Sequence, residues 1–221
     1  MRTDRLPLAD RLMLLLLSAD GKVPSGAYAD LLLGGAVLSD LILRGRIDIA
    51  GQGESVKAGR VVVRSPAPVG DKLLDTALQA LIDKPGSRPS SVVRTLVKRA
   101  TVLERLAAQN IVSASPHRVL GLFPVTAWPT LDGRPAAQAR QELQRVVEGS
   151  ARPDPETAAL ILLLSGCRML HKVLPTEDRK AQRASAKRLA QDSWAPAKMQ
   201  KALQDVAAGV SSAVAVVAAG E

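Results

Sequence analysis

Residues 8–18 of the chain read LADRLMLLLLS, and leucine or methionine occupies nearly every side of a helix built on them. Pro7 precedes this stretch and suits the first turn of a helix. A helix that is apolar on all sides is enclosed by other helices. The apolar run over residues 12–17 falls well short of the roughly 20 residues that cross a bilayer. It therefore predicts a core helix with other helices packed around it.

Two further stretches support a helical core. Pro153-Asp154-Pro155 is a helix start signal, and residues 160–164, Leu-Ile-Leu-Leu-Leu, follow it. We expect residues 12–17 and 160–164 to be almost wholly buried. The apolar run over residues 206–219 is also too short for a bilayer span. It belongs to a predicted buried helix whose stripe has helical spacing and consists of Leu203, Val206, Val210, Val214 and Val217.

Between these stretches the sequence predicts helices and two small hairpins. A helix over residues 25–44 ends before Gly45 and contains Gly34-Gly35, a pair that favours a close helix crossing. Residues 46–50 and 60–64 predict a first hairpin. A helix capped at Gly70-Asp71 and a helix over residues 91–110 follow. Strand-like residues 111–113 and 119–125, with Pro116 in the turn, predict a second hairpin; residues 134 onwards, including 180–191, are helical.

Composition agrees with this pattern. The chain has 221 residues, of which 47% are hydrophobic but only 2% aromatic, so the core is built from Leu, Val, Ala and Ile. We predict a mainly α fold class: a compact single-domain helical bundle over residues 1–221, with small peripheral β-hairpins. The single cysteine cannot form an intrachain disulfide, and no secretory signal pattern opens the sequence. We therefore expect a cytoplasmic protein.

The charge of the chain favours anionic partners. A formal net charge of +9 and a pI of about 10.2 point to lipid head groups or nucleic acid, without choosing between them. If residues 91–110 form one helix, Arg94, Lys98 and Arg105 lie within about 40° of one another. Arg99 lies toward the apolar side, so either the helix breaks near Arg99 or its side chain reaches an acidic partner in the interior. Arg179, Arg183 and Lys187 form a second basic stripe at a spacing of four. Such stripes are either binding surfaces or simply solvated faces.

Catalytic motifs are absent from this pattern. Cys167 and His171 are four residues apart, as a thiol and its base or half of a metal site would be on a helix. The chain has only two histidines and supplies no third partner to this pair. Gly51-Gln52-Gly53 lacks the third glycine of a dinucleotide loop, so it is interpreted as a turn. We expect no enzymatic activity, no cofactor and no metal.

Several segments, taken in order, are similar to the Golgi phosphoprotein three family. The Leu43-Arg44-Gly45-Arg46-Ile47 junction is the most specific of them. The others are the leucine-rich first helix, Asp20-Gly21-Lys22, residues 65–75 (SPAPVGDKLLD), residues 103–107 (LERLA) and residues 154–173. The Ala, Leu, Val and Arg bias suggests a bacterial member. The resemblance implies a compact helical fold with peripheral hairpins.

For eukaryotic members, the family implies recognition of phosphatidylinositol 4-phosphate on Golgi membranes and capture of glycosyltransferase tails. Its lipid site uses a tryptophan and three arginines. Alignment places Ser25 at the tryptophan, and Gly34, Ala100 and Leu103 at the arginines, so none of the four matches. Arg99 is one position from an expected arginine.

These observations predict a non-enzymatic peripheral membrane protein in the cytoplasm that binds anionic lipid, with phosphatidylinositol 4-phosphate as the head group implied by the resemblance. The predicted lipid-binding residues are Arg94, Lys98 and Arg99. One alternative is nucleic-acid binding, because a helix through Arg105 followed by a hairpin resembles a winged helix. A second alternative is an adaptor that receives acidic or membrane-proximal tails of other proteins.

Overall fold

The computed structural model describes residues 5–23, 26–119 and 123–219, and helices dominate this part of the chain. The predicted mainly α fold with small hairpins is confirmed. The helices are α1 Leu8–Leu16, α2 Gly26–Leu43, α3 Lys72–Asp83, α4 Pro89–Val92, α5 Arg99–Ala108, α6 Arg134–Val147, α7 Pro155–Gly166, α8 Leu170–Val173, α9 Arg179–Gln191 and α10 Ala197–Ala218. The strands are β1 Ile47–Ile49, β2 Val61–Val63, β3 Ser115–Val119 and β4 Phe123–Ala127.

Helix α1 lies at the centre of the core. All nine of its residues are buried, and it packs against α2, α5, α6 and α7. The predicted burial of residues 12–17 is confirmed, since the most exposed of them, Leu17, has 8% of its surface accessible. Residues 160–164 of α7 are buried as well. The two stretches that are apolar on all sides thus lie in the interior, as their sequence predicts.

The sequence predicted the strands of the first hairpin correctly, but not those of the second. β1 and β2 pair antiparallel with Ile47 opposite Val63, as predicted. For the second hairpin the predicted strands were wrong, because β3 begins at Ser115 and residues 111–113 contribute only a bridge from Val112 to Thr130. Pro116 lies inside β3, not in the turn. In a two-stranded sheet each strand has a free edge, so a residue without an N–H group is tolerated there.

The Gly34-Gly35 pair allows close contacts on two sides of α2. A β-carbon on Gly34 would lie 2.3 Å from the carbonyl oxygen of Val93, in the segment between α4 and α5. A β-carbon on Gly35 would meet side chains of Val210 in α10 and Leu163 in α7. The close crossing predicted from the glycine pair is therefore confirmed, and it includes a backbone-to-backbone contact.

The prediction of one continuous helix over residues 91–110 was wrong. The chain leaves the helical conformation after α4, and Lys98 is extended before α5 begins at Arg99. The Asp30 carboxylate accepts the backbone N–H of Arg99 at 2.8 Å and so caps the new helix. This partner lies 69 residues away in the sequence, so local pattern could not reveal it. The break also lets the backbone at Val93 lie against Gly34.

Helix α10 is longer than the apolar run that predicted it. Its 22 residues are long and apolar enough, by length and composition alone, to cross a membrane. Its predicted stripe nevertheless packs against the protein, since Leu203, Val206 and Val210 are almost fully buried and the helix contacts α2, α4 and α7. We interpret α10 as a core helix, because buried helices of globular proteins have the same composition.

A buried ionic cluster joins α1 to α3 and α5. The Arg105 guanidinium donates from Nε to Asp10 at 2.8 Å and from Nη1 to Asp71 at 2.9 Å. Asp71 also caps α3 by accepting the N–H groups of Leu73 and Leu74. Burial raises the pKa of Asp10 to about 6, against the opposing effect of Arg105. Asp10 is thus a buried carboxylate that depends on a single arginine.

A second ionic cluster holds the same N-terminal end of α1 against α6 and α7. Arg11 is 4% exposed and donates to Glu142 in α6 and Glu156 in α7. Arg5 reaches the same two carboxylates and Asp154. In both clusters arginine side chains point into the fold, where each positive charge has a carboxylate partner.

Replacing Gly34 by alanine should destabilise the protein. The added methyl group would clash with backbone, which cannot rotate away, so we expect the free energy of unfolding to fall by about 1–3 kcal/mol. Urea unfolding followed by circular dichroism measures the change. Gly133→Ala is the matched control, because nothing lies within 4 Å of its β-carbon position. A Gly34→Ala protein as stable as the control would contradict the close contact.

Replacing Arg105 by methionine should leave Asp10 buried without its ion partner. We expect the free energy of unfolding at about pH 7 to fall by about 3–5 kcal/mol. The pKa of Asp10 is already raised to about 6 with Arg105 present, and removing the arginine raises it further, so the loss should shrink as the pH falls toward about 6, where Asp10 binds a proton in both folded proteins. Urea titrations at several pH values measure this.

The control for this variant is Arg134→Met. The Arg134 side chain is 90% exposed and pairs with Asp132 at the surface, where water screens the pair, so its loss should change the free energy of unfolding little. An Arg105→Met protein whose destabilisation equals that of the control at every pH would show that the buried pair is unimportant.

Candidate functional site

The predicted lipid-binding residues lie together on one irregular segment. We call Arg94, Lys98 and Arg99 the basic segment; the first two lie between α4 and α5, and Arg99 is the first residue of α5. The predicted stripe of Arg94, Lys98 and Arg105 on one helix face was wrong. Arg94 and Lys98 both lie in the break between α4 and α5, and the Arg105 side chain turns inward to Asp10 and Asp71.

The positive charges of the basic segment have no carboxylate partners among the described residues. The Arg94 guanidinium donates to the backbone carbonyl of Ala213 in α10 at 3.2 Å, and Lys98 is exposed. The Arg99 side chain is partly buried, and its ordered contact with Asp30 uses the backbone N–H. One helical turn beyond Ala213, Val216 exposes 64% of its surface. The segment therefore presents free cations near an exposed apolar residue.

Among the described residues, the three positions aligned with the family's arginines do not form a comparable site. Gly34 lies against the Val93 backbone, so no side chain fits there. Leu103 is 2% exposed and belongs to the core, whereas Ala100 is exposed. Ser25 lies outside the described residues. At two of the three arginine positions, Gly34 and Leu103, the packing of the fold leaves no room for an arginine side chain. Any lipid contact here therefore needs other residues.

A second group of cations surrounds a groove between α9 and the turn that joins α7 to α8. We call it the α9 groove. Its volume is about 610 Å³, and Leu162, Leu170, Ala186 and Ala190 contribute apolar surface to its lining. Basic side chains of the lining come from both walls: Arg179, Arg183 and Lys187 from α9, and Arg168 and His171 from the opposite side. No carboxylate is among the described lining residues.

The electrostatic effect of this arrangement is visible at His171. The pKa of His171 is lowered, first by desolvation and then by the positive charges of Arg179, Lys172 and Arg183. A lowered pKa means that the positive field of the groove disfavours one more proton. The second basic stripe predicted from sequence is confirmed as a helical face, since Arg179, Arg183 and Lys187 all lie on α9.

Arg168 and Ser165 were not singled out by sequence reasoning. Arg168 has a φ of 56°, the left-handed conformation that a β-carbon disfavours. This residue follows the end of α7, where glycine usually supplies that conformation, so its sequence position gave no warning. Ser165 in the same lining has a buried Oγ without a hydrogen-bond partner.

Cys167 and His171 do not share a helix face, contrary to the geometry that their spacing suggests. Cys167 ends α7, the chain reverses at Arg168, and His171 belongs to α8. The thiol is buried, and burial raises its pKa to about 12, so it stays protonated at neutral pH. Within the described residues, no group of three His, Cys, Asp or Glu side chains is placed to hold a metal ion.

A family model described as Golgi phosphoprotein 3 (GPP34) matches residues 8–206. The chain belongs to the Golgi phosphoprotein 3 family. The match runs from α1 into α10 and includes both the basic segment and the α9 groove. A comparison with curated proteins found no match. Family membership thus agrees with the helical fold and with the resemblance seen in the sequence.

Proposed function

We propose that this member of the Golgi phosphoprotein 3 family is a non-enzymatic, peripheral membrane protein that binds anionic lipid through Arg94, Lys98 and Arg99. The observation that carries this proposal is the absence of carboxylate partners at these residues in the described part of the chain. Phosphatidylinositol 4-phosphate is then one of several acidic head groups that would serve. The corresponding location is the cytoplasmic face of a membrane.

The contrast with other arginines of the same protein supports the choice of residues. Arg5, Arg11 and Arg105 are each held by two or more carboxylates. Those positive charges are therefore neutralised within the fold, whereas those of the basic segment stay available to an external anion. A cation near an anionic membrane surface contributes about 1 kcal/mol to attraction.

The surroundings of the basic segment favour a shallow, electrostatic contact. Val216 offers a small apolar surface near the cations, but valine inserts less area than an aromatic side chain would. Two of the family's arginine positions, Gly34 and Leu103, are closed by packing. We therefore propose attachment driven mainly by charge, with little selectivity among acidic lipids of equal charge.

The nucleic-acid alternative loses its main argument in this fold. It depended on a basic helix through Arg105, but that guanidinium is bound to Asp10 and Asp71 and cannot face a phosphate backbone. The adaptor alternative stays a prediction, because a basic surface can also receive an acidic protein tail.

Removing the basic segment's charge should release the protein from acidic membranes. In the triple variant Arg94→Ala, Lys98→Ala, Arg99→Ala, three contributions of about 1 kcal/mol are lost, so partitioning at low salt should fall about a hundredfold. Co-sedimentation with phosphatidylcholine vesicles, with and without phosphatidylserine, measures the change. A further set, with phosphatidylinositol 4-phosphate at matched surface charge, should give similar binding to phosphatidylserine.

The matched control is the triple variant Lys57→Ala, Lys72→Ala, Lys84→Ala. These lysines are exposed and have no ion pair, so the control removes the same charge from another part of the surface. At an ionic strength of about 0.1 M it should bind within about threefold of the wild type, since charges more than a Debye length of about 10 Å from the contact are then screened. Equal losses in both triple variants, or wild-type binding that persists in high salt, would refute the proposed contact.

A further inference from the structure

We propose that the α9 groove is a second anion site, which binds a phosphate monoester carried on a small apolar group. The groove is formed by residues 162–190, whereas the basic segment lies at residues 94–99. This inference does not depend on the proposed membrane contact. It concerns a small ligand enclosed by two walls, not an extended surface.

The cations of the groove are arranged to meet one ligand. Arg179, Arg183 and Lys187 are spaced by four on α9, so they follow one wall at about 6 Å per step. Arg168 and His171 line the groove from the α7–α8 turn. Arginine guanidinium groups bind phosphate oxygens in pairs, and a doubly charged phosphate can accept from several donors at once.

These cations are free to bind a ligand. In the described part of the chain, Arg168, Arg179, Arg183 and Lys187 have no side-chain hydrogen bond and no carboxylate within ion-pair distance. Desolvation lowers the pKa of His171, and the positive charges of Arg179, Lys172 and Arg183 lower it further. A dianion in the groove would reverse this effect, because a nearby negative charge favours the protonated imidazole.

The size and the floor of the groove suit a small organic molecule. Its volume of about 610 Å³ falls within the range of about 300–1,000 Å³ typical of small-molecule sites. Leu162, Leu170 and Ala186 provide an apolar floor beneath the charged rim. Ser165 adds a buried hydroxyl without a partner, which is a free donor within the lining.

The backbone at Arg168 points to the same place. A left-handed conformation is strained for a non-glycine residue, and such residues concentrate at functional sites. Arg168, the residue in this conformation, is one of the cations that line the groove.

Binding of phenyl phosphate, measured by isothermal titration calorimetry, tests the proposal. The variant Arg183→Ala, Lys187→Ala removes two rim charges and should bind at least about tenfold more weakly than the wild type. The control Lys180→Ala, Arg188→Ala removes two exposed charges from the same helix but outside the groove lining. It should stay within about twofold to threefold of the wild type.

A nuclear magnetic resonance titration of the histidine rings supplies an independent readout. The pKa of His171 should rise when phenyl phosphate binds, and the signal is assigned with His171→Gln. Benzoate, a monoanion with the same apolar group, should bind more weakly than phenyl phosphate.

Two further arms identify the source of the phosphate. Phosphatidic acid vesicles present the monoester as a lipid head group, and they are tested in the basic-segment triple variant so that the proposed membrane contact does not contribute. Inorganic phosphate presents the phosphate without an apolar part. The site is supported if binding of phenyl phosphate or of phosphatidic acid vesicles is lost only in the groove variant Arg183→Ala, Lys187→Ala. Equal losses in the groove and control variants, or no binding of either probe, overturns it. The basic-segment triple variant should bind phenyl phosphate normally, so failure of the membrane proposal and failure of this one are distinguishable.

Discussion

The pairing of Arg105 with Asp10 is the interaction on which the packing around α1 depends. Helix α1 is enclosed on every side, yet it carries a carboxylate that has no access to water. A buried carboxylate is tolerated when a cation and hydrogen bonds compensate its desolvation. Arg105 supplies the cation and one hydrogen bond to Asp10, whose Oδ1 has no hydrogen-bond partner among the described residues. By also binding Asp71, Arg105 fixes α5 and the start of α3 against the core helix. A polar group in α1 therefore specifies which neighbours may surround an otherwise uniform leucine surface.

Local sequence pattern predicted much of the fold, and it failed where the deciding partner was distant. The apolar helices, the first hairpin and the caps at Asp71 and Asp154 follow from nearby residues, because periodicity and capping are local effects. The break before Arg99 depends on Asp30, and the site of the second hairpin depends on pairing between β3 and β4. Such long-range contacts override helix propensity, and a single sequence does not display them.

At the candidate sites, too, local sequence pattern predicted the features that depend on nearby residues and missed those that depend on distant ones. The spacing of Arg179, Arg183 and Lys187 predicted a basic helix face, but the opposite wall required the left-handed turn at Arg168. Arg105 illustrates the converse error. By spacing it belonged to a surface stripe, yet a buried carboxylate from another helix draws it inward. Counting positive charges in a sequence therefore overestimates the charge available to a ligand, since the fold neutralises some of them.

The contact between Gly34 and Val93 has a consequence for recognition. Because the backbone of the segment between α4 and α5 lies directly against α2, and Asp30 fixes its far end at Arg99, this segment is not a freely fluctuating loop. Its conformational entropy has already been lost during folding. When a ligand binds the segment, the main entropic cost is then the ordering of the ends of three side chains. A preorganised surface can therefore bind a ligand with only a few charges.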